Sequence, residues 1–194
     1  MHITELIDPK TGERKYLNRD ERTAFKEAAK HMRPDIKFYC LMLYYTGCRL
    51  GEALEVTPDR LDFAERRVIF RTLKQGQGRE RYRAVELPEQ YLTSLQDVYR
   101  AKDKQNKKDG GKPIWTFTPR TAKNYVKAVM NEAGISGIKA SSRGLRHSMG
   151  VMLALDRTPA NIIQDILGHT AIKNTMIYMQ AIGDERRAMI SNVW

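Results

Sequence analysis

The sequence is poor in cysteine, with only Cys40 and Cys48 among its 194 residues. Two cysteines without a matching histidine cluster do not provide a zinc site, so both are interpreted as reduced thiols. Long apolar runs are also absent, and none approaches the roughly 18 residues that a membrane span requires. Together with the lack of a signal peptide, these absences predict a cytoplasmic protein with no membrane partner.

Internal repeats, alternating βαβ units and glycine-rich phosphate loops of Walker or Rossmann type are missing as well, so a nucleotide-binding α/β domain is not indicated. Acidic residues are too few to balance the basic ones. The chain has 23 Asp and Glu against 34 Lys and Arg, which gives a net charge of +11. Such an excess indicates a polyanionic partner, with nucleic acid as the first candidate and an anionic membrane surface as the second.

What the chain does contain is 41% hydrophobic residues, which is enough for one globular domain with a sizeable core. Hydrophobic periodicity predicts an α+β fold that is mainly α-helical, with one small β-hairpin. We expect an irregular segment over 1–16, a main domain over 17–180 and a tail over 181–194. A first helix begins at Asn18, and the other predicted helices span 34–46, 51–57, 88–102, 119–133, 141–155, 158–167 and 171–180. The predicted strands span 66–72 and 82–87.

The helix predicted over 119–133 carries Arg120, Lys123 and Lys127 on one face, because these residues follow helical spacing. This basic stripe has two interpretations. It is either an ordinary solvated face or a surface that contacts the DNA backbone.

Four short stretches contain residues that could carry chemistry, although each alone has an ordinary structural explanation. They are TGCRLGEAL at 46–54, the hairpin tip, SSRGLRHSMG at 141–150 and LGHTAIKNTMIY at 167–178. Their candidate residues are Arg49 and Glu52, then Lys74, then Arg143, Arg146 and His147, and finally His169 and Tyr178.

In this order the four stretches resemble the tyrosine recombinase (phage integrase) family. The resemblance covers about residues 17–180. The spacing in the last two stretches is specific, because His169 follows Arg146 by 23 residues and Tyr178 follows His169 by nine. The compact build is similar to that of the short fimbrial phase-variation invertases, or to a truncated integrase.

The resemblance implies a catalytic domain that cuts and rejoins DNA through a 3′-phosphotyrosine, without ATP, metal or another cofactor. Arg49 and Arg146 would clamp the phosphate oxygens and His169 would donate a further hydrogen bond. Tyr178 would attack, and the surrounding positive charge would favour its phenolate. Lys74 would protonate the leaving 5′ oxygen as a general acid.

One position departs from the family pattern, since Arg143 stands where the family usually has histidine. Arginine stays protonated and is a poor base. Our hypothesis is that Arg143 faces the phosphate and forms an ion pair with Glu52, which would hold it in one orientation. His147, like Glu52, receives a supporting role.

The partners implied are double-stranded DNA and other copies of the chain, as a homotetramer on two DNA sites that is weakly associated or monomeric without DNA. We expect the tail to dock on an adjacent subunit through Ile190, Val193 and Trp194. Three alternatives remain: a DNA-binding regulator with weakened catalysis, a type IB topoisomerase-like activity, and a basic RNA-binding module. The sequence gives little support to the RNA-binding module, because no recognisable aromatic stacking motif is present.

Overall fold

The computed structural model describes residues 5–73 and 80–180. Within them the chain forms nine α-helices, one 3-10 turn and a three-stranded sheet, which confirms the prediction of a mainly helical α+β fold. The predicted positions of Lys74 and of the 181–194 tail lie outside the described residues.

The helices are α1 (Arg19–Lys30), α2 (Pro34–Thr46), α3 (Leu50–Leu54), α4 (Glu89–Tyr99), α5 (Ala101–Lys104), α6 (Pro119–Glu132), α7 (Ser142–Leu155), α8 (Ala160–Leu167) and α9 (Lys173–Gln180). The strands are β1 (Leu61–Asp62), β2 (Arg67–Leu73) and β3 (Glu80–Glu86).

Helix α1 starts where the sequence predicts, at a capping box formed by Asn18 and Glu21. The Asn18 side chain accepts a hydrogen bond from the Glu21 N–H at 2.8 Å, and the Glu21 carboxylate accepts one from the Asn18 N–H at 2.8 Å. Both interactions satisfy N–H groups that have no partner within the helix.

Helix α2 is the central element of the larger core, because nearly all of its sides are apolar and buried. Pro34 occupies its first turn, where a missing N–H is tolerated. Gly47 ends it in the left-handed conformation at φ 60°. A Cβ atom at Gly47 would lie 2.9 Å from both Leu167 and Met149, so glycine also allows α2 to approach α7 and α8 closely.

The sheet is antiparallel in the order β1-β2-β3. Its register places Val68 opposite Val85 and Phe70 opposite Arg83. All four side chains are buried. One face of the hairpin therefore packs on the core, and an arginine lies on that apolar face.

A second, smaller core lies between α7, α8, α9 and the N-terminal segment. Its buried members are Leu6, Val151, Ala154, Ile163, Leu167 and Tyr178. The segment predicted as irregular over 1–16 contributes Leu6 to this core and forms an isolated β-bridge between Ile7 and Arg14.

Two predicted helices differ from the observed ones. The helix predicted over 88–102 is divided at Arg100, which adopts a positive φ of 52° between α4 and α5. Two polar interactions stabilise this break: Arg100 Nε donates to Asp103 at 2.9 Å, and the Lys102 N–H donates to the Gln96 side chain at 2.6 Å. The helix predicted over 51–57 ends at Leu54.

Cys40 and Cys48 are both buried and unpaired, and burial raises the pKa of each thiol to about 12. Among the described helices, none is long and apolar enough to cross a membrane.

Candidate active site

Six of the residues singled out from the sequence line one cleft, to which α7, α9 and the ends of α2 and α8 contribute. They are Arg49, Arg143, Arg146, His147, His169 and Tyr178. Their side chains combine three permanent cations, two imidazoles and one phenol, which is a donor-rich set suited to an anion with a reactive centre.

Arg146 is the most firmly held cation of the cleft. Its guanidinium donates to the carbonyl of Gly47 at 2.9 Å and to that of Leu167 at 2.6 Å. These carbonyls lie at the C-terminal ends of α2 and α8, where helix dipoles carry partial negative charge. Burial, followed by the charge of Arg49, lowers the pKa of Arg146 to about 10, so the group stays charged at neutral pH.

Arg49 lies nearer the solvent, with 46% of its side chain exposed. It donates to Glu52 Oε1 at 3.0 Å and to the Gly168 carbonyl at 3.3 Å. Its backbone N–H donates to the second oxygen of Glu52 at 2.7 Å. Glu52 thus fixes both the main chain and the guanidinium of Arg49.

The second partner of Glu52 is Arg83 of β3, which sequence reasoning missed. Arg83 donates to both carboxylate oxygens, at 3.0 and 2.7 Å, and its Nε donates to the Ile166 carbonyl at 3.0 Å. The pair is buried, with side-chain exposures of 5% for Arg83 and 8% for Glu52. Arg83 thereby fixes β3 to Glu52 of α3 and to the end of α8.

These contacts correct the hypothesis that Glu52 pairs with Arg143. Glu52 forms its ion pairs with Arg49 and Arg83, whereas Arg143 is exposed and forms no ion pair with a described residue. Burial raises the pKa of Glu52, but the hydrogen bonds and charges of Arg83 and Arg49 together outweigh this effect and lower the pKa to about 2. Glu52 is therefore an anion under all ordinary conditions.

Tyr178 is at once a core residue and a cleft residue, with only 1% of its surface exposed. Its ring lies almost parallel to that of His169, at 19° and a centroid distance of 6.0 Å. On its other side it meets Gly150 of α7, where an added Cβ would lie 2.5 Å from the ring. Only glycine at this position leaves room for the phenol.

The expected effect of positive charge on Tyr178 is outweighed by burial. Arg146, Arg143 and Arg49 each lower the pKa of the phenol, but burial raises it by more, and the net pKa lies above the ordinary value. The charges act in the expected direction, but in the protein without DNA burial outweighs them and favours the protonated phenol. Attack by this tyrosine requires that its proton be taken up by another group.

The two histidines contact different polar groups. His169 Nδ1 lies 2.9 Å from Oγ1 of the buried Thr175, which is a further residue that sequence reasoning missed. His147 Nδ1 lies 3.1 Å from the hydroxyl oxygen of Tyr178. The pKa of each is lowered to about 4, by burial first and then by the neighbouring arginines, so both are neutral at pH 7.

The remaining predicted residues lie away from this cleft or outside the described residues. Arg120, Lys123 and Lys127 are all exposed on α6, which supports a common basic face. In the described part of the chain, no group of three or more His, Cys, Asp or Glu could hold a metal ion.

Comparison with known proteins identifies the family of this chain. The sequence model of the Phage integrase family matches residues 15–183. The type 1 fimbriae regulatory protein FimE of Escherichia coli K12 is 28% identical over 172 residues, which cover 86% of each chain. Tyrosine recombinase XerA of Pyrococcus furiosus is 27% identical over 150 residues, covering 71% of this chain and 47% of that protein.

Among solved structures, the XerH site-specific recombinase bound to palindromic difH substrate, a post-cleavage complex, matches with a TM-score of 0.74. The identity is 21%, and the match covers 95% of this chain and 55% of that one. The chain spans about half the length of XerA and XerH, and most of the length of FimE. Because the family match covers most of the sequence and the fold agrees with it, this chain belongs to the phage integrase family of tyrosine recombinases.

Proposed function

We propose that this chain is the catalytic domain of a site-specific DNA recombinase that cuts and rejoins strands through a 3′-phosphotyrosine intermediate. The observation that carries the proposal is the placement of the Tyr178 hydroxyl in a cleft with three arginines and two neutral histidines. The names of the relatives support it, and XerH was solved with a DNA substrate.

The proposed chemistry divides the work among charged and neutral donors. Arg49 and Arg146 bind the non-bridging oxygens and stabilise the charge that builds on phosphorus. Tyr178 attacks phosphorus, and the bond to the 5′ oxygen breaks. Lys74, which follows the last residue of β2, supplies a proton to that oxygen. The bond energy stays in the phosphotyrosine, so neither ATP nor a metal ion takes part.

His169 fits a role as a neutral hydrogen-bond donor to the phosphate. If Thr175 donates its hydroxyl proton to Nδ1, the ring proton must be on Nε2, because a neutral imidazole carries only one. That nitrogen can then donate to a phosphate oxygen.

The proposed partner is double-stranded DNA, which suits a net charge of +11 and the basic face of α6. Assembly as a tetramer on two DNA sites, with residues 181–194 docking on a neighbouring copy, belongs to the same proposal.

The test is formation of a covalent adduct with nicked duplexes taken from the DNA that flanks the gene. Wild type should give a protein–DNA adduct on a denaturing gel, and Tyr178→Phe should give none. Tyr125→Phe serves as the matched control, since Tyr125 lies on α6 outside the cleft and should leave the adduct unchanged.

Binding of these duplexes without any adduct would instead favour the regulator that lacks catalysis. Relaxation of a supercoiled plasmid that carries the same site, without strand exchange, would favour the topoisomerase-like activity.

A further inference from the structure

The proposed reaction needs a group that takes the proton of Tyr178. Because burial raises the pKa of this phenol, it does not ionise readily without such a group. The position where the family usually has histidine holds Arg143, which remains protonated and cannot act as a base. The acceptor must therefore be another side chain within hydrogen-bond reach of the phenol oxygen.

Among the described residues, the nitrogen found at that distance is Nδ1 of His147, 3.1 Å from the Tyr178 hydroxyl. The other imidazole of the cleft is placed differently. His169 uses Nδ1 to contact Thr175 at 2.9 Å, and its ring lies nearly parallel to the phenol ring instead of meeting the hydroxyl edge-on.

We infer that His147 is the general base of the cleavage step, taking the position in the mechanism that Arg143 cannot fill. The inference rests on the proposed function. As Tyr178 Oη bonds to phosphorus, its proton moves to Nδ1 of His147, and the 5′ oxygen leaves with a proton from Lys74. In rejoining, the 5′ hydroxyl gives its proton back to the neutral amine of Lys74 as it attacks phosphorus, the bond from phosphorus to Tyr178 breaks, and the imidazolium returns its proton to the phenol oxygen.

The surroundings of His147 suit a base that is neutral before the reaction. Its partial burial and the positive groups that face it disfavour the imidazolium. Those groups are Arg143 and Arg146 on its own helix and Lys15 from the N-terminal segment. The ring also faces Tyr178 of α9 and interacts with His169, while Arg49 and Glu5 line the same cleft.

A bound phosphodiester changes this balance, since its negative charge lies against the same three arginines. The imidazolium formed during cleavage then has an anion nearby, and the transfer becomes favourable only when substrate is present.

The first experiment uses the free protein and requires no DNA. The ring nitrogens of ¹⁵N-histidine are observed by NMR at neutral pH, and His147→Asn identifies the His147 signals among the four histidines. We expect the proton on Nε2 and an unprotonated Nδ1 whose shift changes in Tyr178→Phe. A proton on Nδ1 would mean that His147 donates to the phenol, and this would overturn the inference.

The second experiment measures the single-turnover cleavage rate on the duplex that gives the adduct. His147→Asn keeps a hydrogen-bonding group near the position of Nδ1 but cannot accept a proton, whereas His147→Phe removes both properties. We expect each to lose at least about 100-fold in rate. His31→Asn is the matched control, because His31 is exposed at the end of α1 and should not change the rate.

The pH profile separates a base from a positioning residue. Wild-type cleavage should be nearly independent of pH between about pH 5.5 and pH 8, because the base is already deprotonated. In His147→Asn the rate should rise about tenfold per pH unit, because the phenolate must then form by ionisation in solvent. A slow variant with the flat wild-type profile would assign His147 a structural role only.

A DNA with sulfur in place of the bridging 5′ oxygen distinguishes base from acid. The thiolate leaves without a proton, so this DNA should restore cleavage by Lys74→Ala but not by His147→Asn. Restoration of both variants, or a wild-type rate in His147→Asn, would contradict the inference while leaving the proposed function intact. Failure of wild type on every duplex would overturn the proposed function itself.

Discussion

At the scale of single residues, Glu52 connects parts of the chain that are distant in sequence. It holds Arg49 three residues away and Arg83 31 residues away, and Arg83 in turn reaches the Ile166 carbonyl at the end of α8. The carboxylate therefore orients one arginine of the proposed phosphate clamp through contacts that no DNA has to form. Such prior positioning lowers the cost of binding a transition state.

Glu52→Gln should destabilise the protein by about 3 kcal/mol at neutral pH, because it removes the buried carboxylate charge that pairs with Arg83. The pKa of Glu52 is lowered from 4.5 to about 2 in the folded protein, so its stabilisation is present above pH 4.5 and disappears as the pH falls towards 2. The difference between wild type and variant should shrink over that interval. Urea unfolding at a series of pH values measures it.

Glu89→Gln is the matched control for this experiment. Glu89 pairs with Arg66 at 3.3 Å, but both side chains are mostly exposed, so its loss should change the free energy of unfolding by less than about 1 kcal/mol. Equal effects of the two substitutions would contradict a special role for Glu52.

The resemblance of four short stretches to the family predicts the residues of the cleft, but the sequence does not show which side chains hold them in place. Arg83 illustrates the limit. Arg83 shares the buried face of β3 with Val85, and Leu87 continues this spacing just after the strand ends, so a charged residue at a buried strand position was a detectable signal. The identity of its anion was not detectable, because Glu52 comes close only through the fold. Thr175 lies only six residues from His169, but nothing in the sequence marks it as the partner of the imidazole.

At the scale of elements, the packing of α7 against α9 is made possible by Gly150. This glycine packs directly against the Tyr178 ring, so the distance between the two helices is set by the absence of a side chain. The depth of Tyr178 in the cleft depends on that distance.

Gly150→Ala should push the Tyr178 ring out of place, because the new methyl would lie 2.5 Å from it. We expect a stability loss of about 1–3 kcal/mol and a larger loss of adduct formation than of DNA binding. Thermal unfolding and the adduct assay measure the two effects.

Gly51→Ala provides the comparison, since a Cβ at this exposed position of α3 meets nothing within 4 Å. It should be neutral or slightly stabilising, because alanine favours the helix more than glycine does. An unperturbed adduct in Gly150→Ala would show that the helix spacing is not critical.

Elements whose ends are encoded locally agree best with the sequence prediction. The capping box at Asn18 and the Pro34 to Gly47 limits of α2 depend on neighbouring residues only. The division between α4 and α5 was missed because no glycine or proline marks it. Arg100 adopts a left-handed conformation there, and the cost of this conformation is offset by the hydrogen bond from its side chain to Asp103 in the following turn.

At the scale of the whole molecule, positive charge dominates, and the exposed side chains of α6 add to it away from the cleft. Arg120, Lys123 and Lys127 lie exposed on one helix and form no ion pair with a described residue. They can bind phosphates along a duplex without first breaking an ion pair within the described part of the protein.

The triple variant Arg120→Gln, Lys123→Gln and Lys127→Gln should bind duplex DNA more weakly. The slope of log affinity against log salt should fall by about one for each phosphate that the variant no longer neutralises. The matched control replaces Lys104, Lys107 and Lys108 by glutamine. These three lysines are also exposed, and their replacement removes the same total charge. Similar reductions in affinity for both variants would show that only net charge matters, and that α6 is an ordinary solvated face.

The way Arg146 is held distinguishes the two arginines of the proposed clamp. Arg146 meets the carbonyl ends of two helices, and none of the ion pairs among the described residues includes it. An arriving phosphodiester thus has no resident counter-ion to displace there. At Arg49 the anion must compete with Glu52 for the same guanidinium. In the proposed clamp, Arg146 would act as a fixed receptor for the phosphate, whereas Arg49, held in place by Glu52, would share its guanidinium between the carboxylate and the phosphate.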